Sequence, residues 1–311
     1  MTRAVKAKAK RRSQAPPPTK RSPWRERGLF GFVALAVVIL GAALWLKSAD
    51  DRRTAATDAG PVHVHGLGVN PADGALYIAT HTGLYRSSEG DSKSVRVGDS
   101  KQDTMGFSVI GPDRFVGSGH PDFRTDLPPL LGLIESTNKG RSWEPISLLG
   151  DADFHVLRAV GERVYGYDAS NDRLLVSADA GRTWEEVERP APLLDLAADP
   201  EADLHLVAAG ASDLGQGLYE SRDGGRSWES VGQLAGLLAW PTPDRLFVVD
   251  LGGNVFVSAN GGRDLEHRGV VGGQPAALVG ESADELFVAL HDGTIKHSKD
   301  GGRTWTVRST P

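Results

Sequence analysis

SRDGGRSW, residues 221–228, is one copy of a turn that occurs five times in this chain. The others are STNKGRSW (136–143), SADAGRTW (177–184), SANGGRDL (258–265) and SKDGGRTW (298–305). Ser136, Ser177, Ser221, Ser258 and Ser298 hold the first position, and Gly140, Gly181, Gly225, Gly262 and Gly302 the fifth. The third position is a short amide or acid: Asn138, Asp179, Asp223, Asn260 or Asp300. Trp143, Trp184, Trp228 and Trp305 fill the eighth position, which is Leu265 in the remaining copy. Successive serines lie 41, 44, 37 and 40 residues apart. Self-similarity at such a period marks a repeat architecture whose unit is one supersecondary element. A decayed copy, SSEGDSKS, begins at Ser87, 49 residues before Ser136.

Each position has a local physical reason. A short Asp or Asn side chain accepts hydrogen bonds from turn N–H groups. Glycine admits a positive φ. A tryptophan brings a large apolar area to anchor a hairpin on its neighbour. These residues are therefore expected to be structural. Between the turns, short apolar runs are separated by Gly, Asn and Asp, which is the texture of strands. The third repeat has four such runs, at 154–160, 163–167, 174–177 and 184–187. The same count along the chain gives units near 62–98, 104–149, 153–189, 193–232, 235–270 and 274–309. The reading is an all-β, six-bladed β-propeller over residues 62–311. A seventh blade would need a motif that the sequence lacks.

Upstream the texture differs. Residues 1–28 hold ten of the 35 basic side chains and one of the 40 acidic ones, so a +9 tail precedes a −14 body, for −5 overall. The tail is Pro-rich at 16–18, and this composition predicts disorder. Residues 29–46 carry no charge. As a helix they would span about 27 Å, close to a bilayer core. Trp24 and Trp45 lie near the two ends of this run, where interfacial aromatics are favoured. The positive-inside rule puts the tail in the cytoplasm. The expectation is an uncleaved, single-pass signal anchor at the cell membrane, a linker at 47–61, and an extracytoplasmic propeller. The chain has no cysteine, so disulfides, a lipoprotein anchor and thiolate metal sites are excluded. An acidic ectodomain argues against nucleic acid.

The repeated turn resembles the Asp-box, or BNR repeat, of the sialidase and sortilin-like superfamily. That group also includes glycan-cleaving propellers and photosystem assembly factors of the same architecture. With an anchor followed by HGLGVNP (65–71), the chain also looks like membrane-anchored bacterial proteins labelled glycosylhydrolase, or exo-alpha-sialidase-like. The resemblance covers 62–309 and implies a fold more than a reaction. Sialidases of the family carry an Arg-Ile-Pro signature, three carboxylate-binding arginines and a Tyr–Glu pair; this sequence has no Arg-Ile-Pro and no evident pair.

In an up-and-down blade the starts of first strands and the ends of second strands share one face, and the five turns lie on the other. Six of the nine histidines map to that first face. His81, His120 and His291 end second strands in blades one, two and six, while His63, His65 and His155 open first strands. His65, His81, His120, His155 and His291 are thus candidate ligand or metal residues, and a divalent transition metal is the cofactor that imidazoles suit. Asp103 and Met105 precede the second blade. Asp168 and Asp250 end second strands in blades three and five and are the carboxylates available for glycoside cleavage. Three functions follow: a binding module for a glycan, metal or envelope protein; a glycoside hydrolase; or a structural envelope scaffold.

Overall fold

The computed structural model describes residues 60–212 and 215–311. The basic tail, the apolar segment 29–46 and all but the last residues of the linker lie outside them. Among the described residues no helix is long and apolar enough to cross a membrane.

Among the described residues, twenty-four strands form six four-stranded antiparallel sheets, each contiguous in sequence. Blade one is β1 (Val64–Val69), β2 (Leu76–Thr80), β3 (Gly83–Ser87) and β4 (Val95–Arg96). Blade two is β5 (Asp103–Gly111), β6 (Arg114–His120), β7 (Leu133–Ser136) and β8 (Glu144–Ser147). Blade three is β9 (Phe154–Val160), β10 (Arg163–Asp168), β11 (Arg173–Ser177) and β12 (Glu185–Val187). Blade four is β13 (Leu193–Asp199), β14 (Ala202–Ser212), β15 (Gly215–Ser221) and β16 (Glu229–Gly232). Blade five is β17 (Gly236–Thr242), β18 (Arg245–Asp250), β19 (Asn254–Ser258) and β20 (Glu266–Val270). Blade six is β21 (Pro275–Gly280), β22 (Leu286–Leu290), β23 (Ile295–Ser298) and β24 (Thr306–Ser309). The six-bladed all-β expectation holds.

The five repeated turns have one hydrogen-bonding scheme. The Ser177 hydroxyl accepts from Gly181 N–H at 2.8 Å and donates to Asp179 Oδ1 at 2.7 Å. Asp179 Oδ1 in turn accepts from Thr183 N–H at 2.8 Å. Ser136–Asn138–Gly140 and Ser258–Asn260–Gly262 repeat it with an amide in place of the acid. Gly181 has φ 82°, and a Cβ there would stand 2.0 Å from Leu133 Cδ2 of the preceding blade. Glycine is thus required both by conformation and by close approach.

The eighth residue of each turn packs onto the blade before it. Trp228 joins the cluster of Leu174 and Val187, Trp305 that of Val255 and Val271, and Leu265 that of Leu218 and Val231. A half-buried tryptophan contributes on the order of 2–3 kcal/mol at about 25 cal/mol per Å². The core is therefore not central; it lies in six seams between neighbouring sheets. Blade one, whose turn is the decayed copy, has an outer strand of two residues. The Ser87 hydroxyl is buried there without a hydrogen-bond partner among the described residues.

Candidate functional site

Register places the candidate residues. Val64 pairs with Thr80, Asp103 with His120, Phe154 with Asp168, Gly236 with Asp250 and Pro275 with Leu290. First-strand starts and second-strand ends therefore share one rim of the central channel.

The inner strands are not regular at that rim. Pairing passes from Val64–Thr80 directly to Gly66–Ala79, so His65 is an extra, bulged residue. The same interruption falls at His155 in β9, at Leu194 in β13 and at Ala276 in β21. In β5 the irregular step spans Met105 and Gly106. A bulge bends the strand and re-aims the side chain of its extra residue. Here the bulged His65, Met105, His155, Leu194 and Ala276 all line one cavity of about 170 Å³ at the channel mouth, with Leu237 from β17, whose pairing is regular at this level. Blades one to three thus present imidazole, thioether and imidazole, and blades four to six present aliphatic groups. A second cavity of about 390 Å³, toward the other end of the channel, is bordered by Pro71, Pro200 and Trp240.

Two imidazole–carboxylate clusters stand at the mouth. In the first, His81 Nδ1 lies 2.6 Å from Asp103 Oδ2, and the His65 and His81 rings meet edge to face with centroids 4.3 Å apart. His63, held at φ 54°, brings its ring to 5.4 Å from that of His81. His65 Nε2 and Asp103 Oδ1 are shielded from solvent and have no hydrogen-bond partner among the described residues. Burial, followed by the neighbouring His81, pushes the His65 imidazole down to about 3, so it is neutral at physiological pH.

The second cluster centres on the buried Asp153. His155 Nε2 is 2.9 Å from Asp153 Oδ2 and His120 Nε2 is 3.5 Å from it, while His120 Nδ1 faces the Pro129 carbonyl at 2.8 Å. Below it, the guanidinium of Arg158 donates from Nη2 to Asp195 Oδ1 at 2.6 Å. Burial pushes the Asp195 carboxyl up, against the pull of Arg158 and the Leu238 and Leu196 amides.

The rim imidazoles therefore do not converge on one point. His65 and His81 belong to one group and His120 and His155 to another. His291 is exposed just past β22, and its backbone N–H donates to Gln274 O at 3.1 Å. Asp168 is fully buried and accepts from Asp153 N–H, Ser170 N–H, Asn171 Nδ2 and Arg173 Nε at 2.8–3.2 Å. Asp250 accepts from Gly252 N–H, Asn254 N–H and Asn254 Nδ2 at 2.8–2.9 Å. Both carboxylates brace the turn after a second strand: four bonds fill the acceptor sites of Asp168, and three engage Asp250. Asp103 was visible in the sequence only as a residue ahead of blade two. The signal that could have joined it to His65 is shared position: each stands where a first strand begins.

No family model matches the chain, and no curated protein matches it in sequence. Solved structures do. YCF48 bound to D1 peptide aligns over 80% of this chain and 82% of its own, at 15% identity and TM-score 0.52. A structure from a nidogen/laminin complex aligns over 76% and 93%, at 13% identity and TM-score 0.60. The GH74 enzyme of Niastella koreensis aligns over 80% of this chain and 45% of its own, at 14% identity and TM-score 0.56. The likeness is one of fold. It joins this chain to propellers that bind and to propellers that cleave glycans, without choosing between them.

Proposed function

We propose that this chain is a membrane-anchored, extracytoplasmic binding module that receives its ligand at the bulged mouth of the channel. One observation carries the reading: five of six inner strands bulge at the same level and turn their extra residues into one cavity. The bulged residues bring imidazole or thioether from blades one to three and aliphatic groups from blades four and six, with the Arg158–Asp195 pair below them. Such a surface suits an amphipathic group, for example a side chain or chain end of an envelope polypeptide. The turn-bracing roles of Asp168 and Asp250 speak against glycoside hydrolysis, which needs one carboxyl group free to give a proton and another free to attack or activate water. A propeller of this architecture bound to a peptide is consistent with the binding reading. Uncharged residues 29–46 after a basic tail support the anchor.

A photocrosslinking residue at Leu194, in the mouth, tests this in cells carrying the full-length chain. Leu204, exposed on the opposite face, is the reference. A discrete adduct from position 194 that is absent from 204 and weakened by His155→Ala is expected. Equal adducts from both positions, none from 194, or glycan cleavage by the purified chain would overturn the reading. The chain lacks cysteine, so single cysteines report topology. Ser88→Cys should react with a membrane-impermeant maleimide in intact cells, and Ser13→Cys should not.

A further inference from the structure

We infer that His65, His81 and Asp103 form a binding site for a divalent transition metal ion at the channel mouth. The inference rests on the mouth being the binding face. Each of the three side chains offers one donor atom, and these atoms lie within 4.8 Å of one another. Around an ion with bonds of roughly 2.0–2.2 Å, tetrahedral donors stand about 3.4 Å apart. The remaining approach is within reach of a side-chain rotation by His81, which is 42% exposed.

Two buried atoms argue for an occupant. His65 Nε2 and Asp103 Oδ1 face no partner among the described residues, and leaving such buried atoms unpaired is unfavourable. A lone acid cluster would not specify a transition ion, but two imidazoles with one carboxylate do. The set has three protein ligands, which leaves a coordination position open. That is the pattern of sites that present an ion to a further ligand, in contrast to closed structural sites. Met105 lines the same cavity as His65, and a thioether beside imidazoles suits copper as well as zinc.

The test uses the full-length chain, purified with a tag free of histidine, stripped by chelator and titrated with Zn(II) and with Cu(II). About one ion per chain is expected for the unaltered protein and for His267→Ala, which removes an imidazole distant from the rim. His65→Gln and His81→Ala should abolish saturation. Asp103→Asn removes a direct anionic ligand and should weaken binding by more than the roughly 10–100-fold that loss of a carboxylate merely supporting a metal-bound histidine costs. X-ray absorption on the zinc-loaded, unaltered chain reads the ligands without any variant. Two imidazoles near 2.0–2.1 Å are expected. No retained ion, undiminished binding in both histidine variants, or a shell of oxygens alone would overturn the site. The Leu194 crosslink measured in chelator separates the two proposals: if it persists while the chain holds no ion, the metal site falls and the binding face stands.

Discussion

Ala180 stands at φ 57°, in the left-handed region, at the fourth position of its turn. Three sister turns place glycine there: Gly224 at 75°, Gly261 at 69° and Gly301 at 68°. A Cβ in this conformation costs roughly 1–2 kcal/mol. Glycine returns about 0.4–1 kcal/mol of that through a freer unfolded chain. The balance favours glycine, and Ala180 is only half-buried, so little packing is lost. Ala180→Gly should therefore stabilise the chain by about 0.5 kcal/mol, or roughly 1–2 °C in Tm. A lower urea midpoint for this variant would contradict the strain assigned to the turn. The same logic explains why fourth-position Lys139, at φ 66°, is tolerated: its ammonium reaches Asp73 at 3.1 Å and Asp113 at 3.4 Å.

The repeated turn is also an acid-sensitive element in three copies of five. Asp179, Asp223 and Asp300 are held down to about 2 from an ordinary value of 3.8. Bonds from Thr183, Ser227 and Thr304 to the carboxylates are the main causes. A carboxyl group whose folded value lies below its unfolded one contributes stability above the unfolded value and loses it as pH falls through the folded one. The window therefore runs from about pH 4 to about pH 2. Asn138 and Asn260 occupy the same position without a titrating group. Asn138 Nδ2 donates to the Ser142 hydroxyl at 2.8 Å, so an amide keeps the contact by reversing the donor. Replacing all three acids by Asn should leave the urea midpoint nearly unchanged at pH 7. It should reduce the fall of that midpoint between pH 4 and pH 2. An unchanged acid limb would refute the assignment. These turns were legible in the sequence because each position answers a local demand for a short acceptor, a positive φ or an apolar anchor. The mouth was not. A bulge is a one-residue slip in pairing between β1 and β2 or β9 and β10, and strict alternation along HVHG (63–66) does not reveal it. Shared rim position brought His81, His120 and His291 together in the sequence, whereas side-chain direction separates them in space.

The ring must close on itself, and among the described residues no strand crosses the seam. Blade one is built wholly from the N-terminal side of the propeller and blade six wholly from its C-terminal side. Most of the closure is apolar: Val64, Leu67 and Tyr85 pack with Ala277, Phe287 and Ile295. At roughly 1.5–3 kcal/mol for each large buried side chain, this cluster outweighs any polar contact at the seam. The rest is a small latch. Thr310 pairs with Lys93 in parallel beside the short β4, and Arg308 Nη2 reaches the Ser87 carbonyl at 3.5 Å while its guanidinium lies 5.6 Å from the Phe287 ring centroid. The exposed Lys299–Glu89 pair at 3.3 Å adds little in water. Deleting Thr310 and Pro311 together with Arg308→Ala should therefore cost about 1–2 kcal/mol and leave the ring closed. Opening should become local before it becomes global. Hydrogen exchange should accelerate first in β3, β4, β23 and β24, while amides of β9 to β16 keep their protection. Uniform acceleration around all six blades would mean that the latch, and not the apolar seam, holds the circle shut.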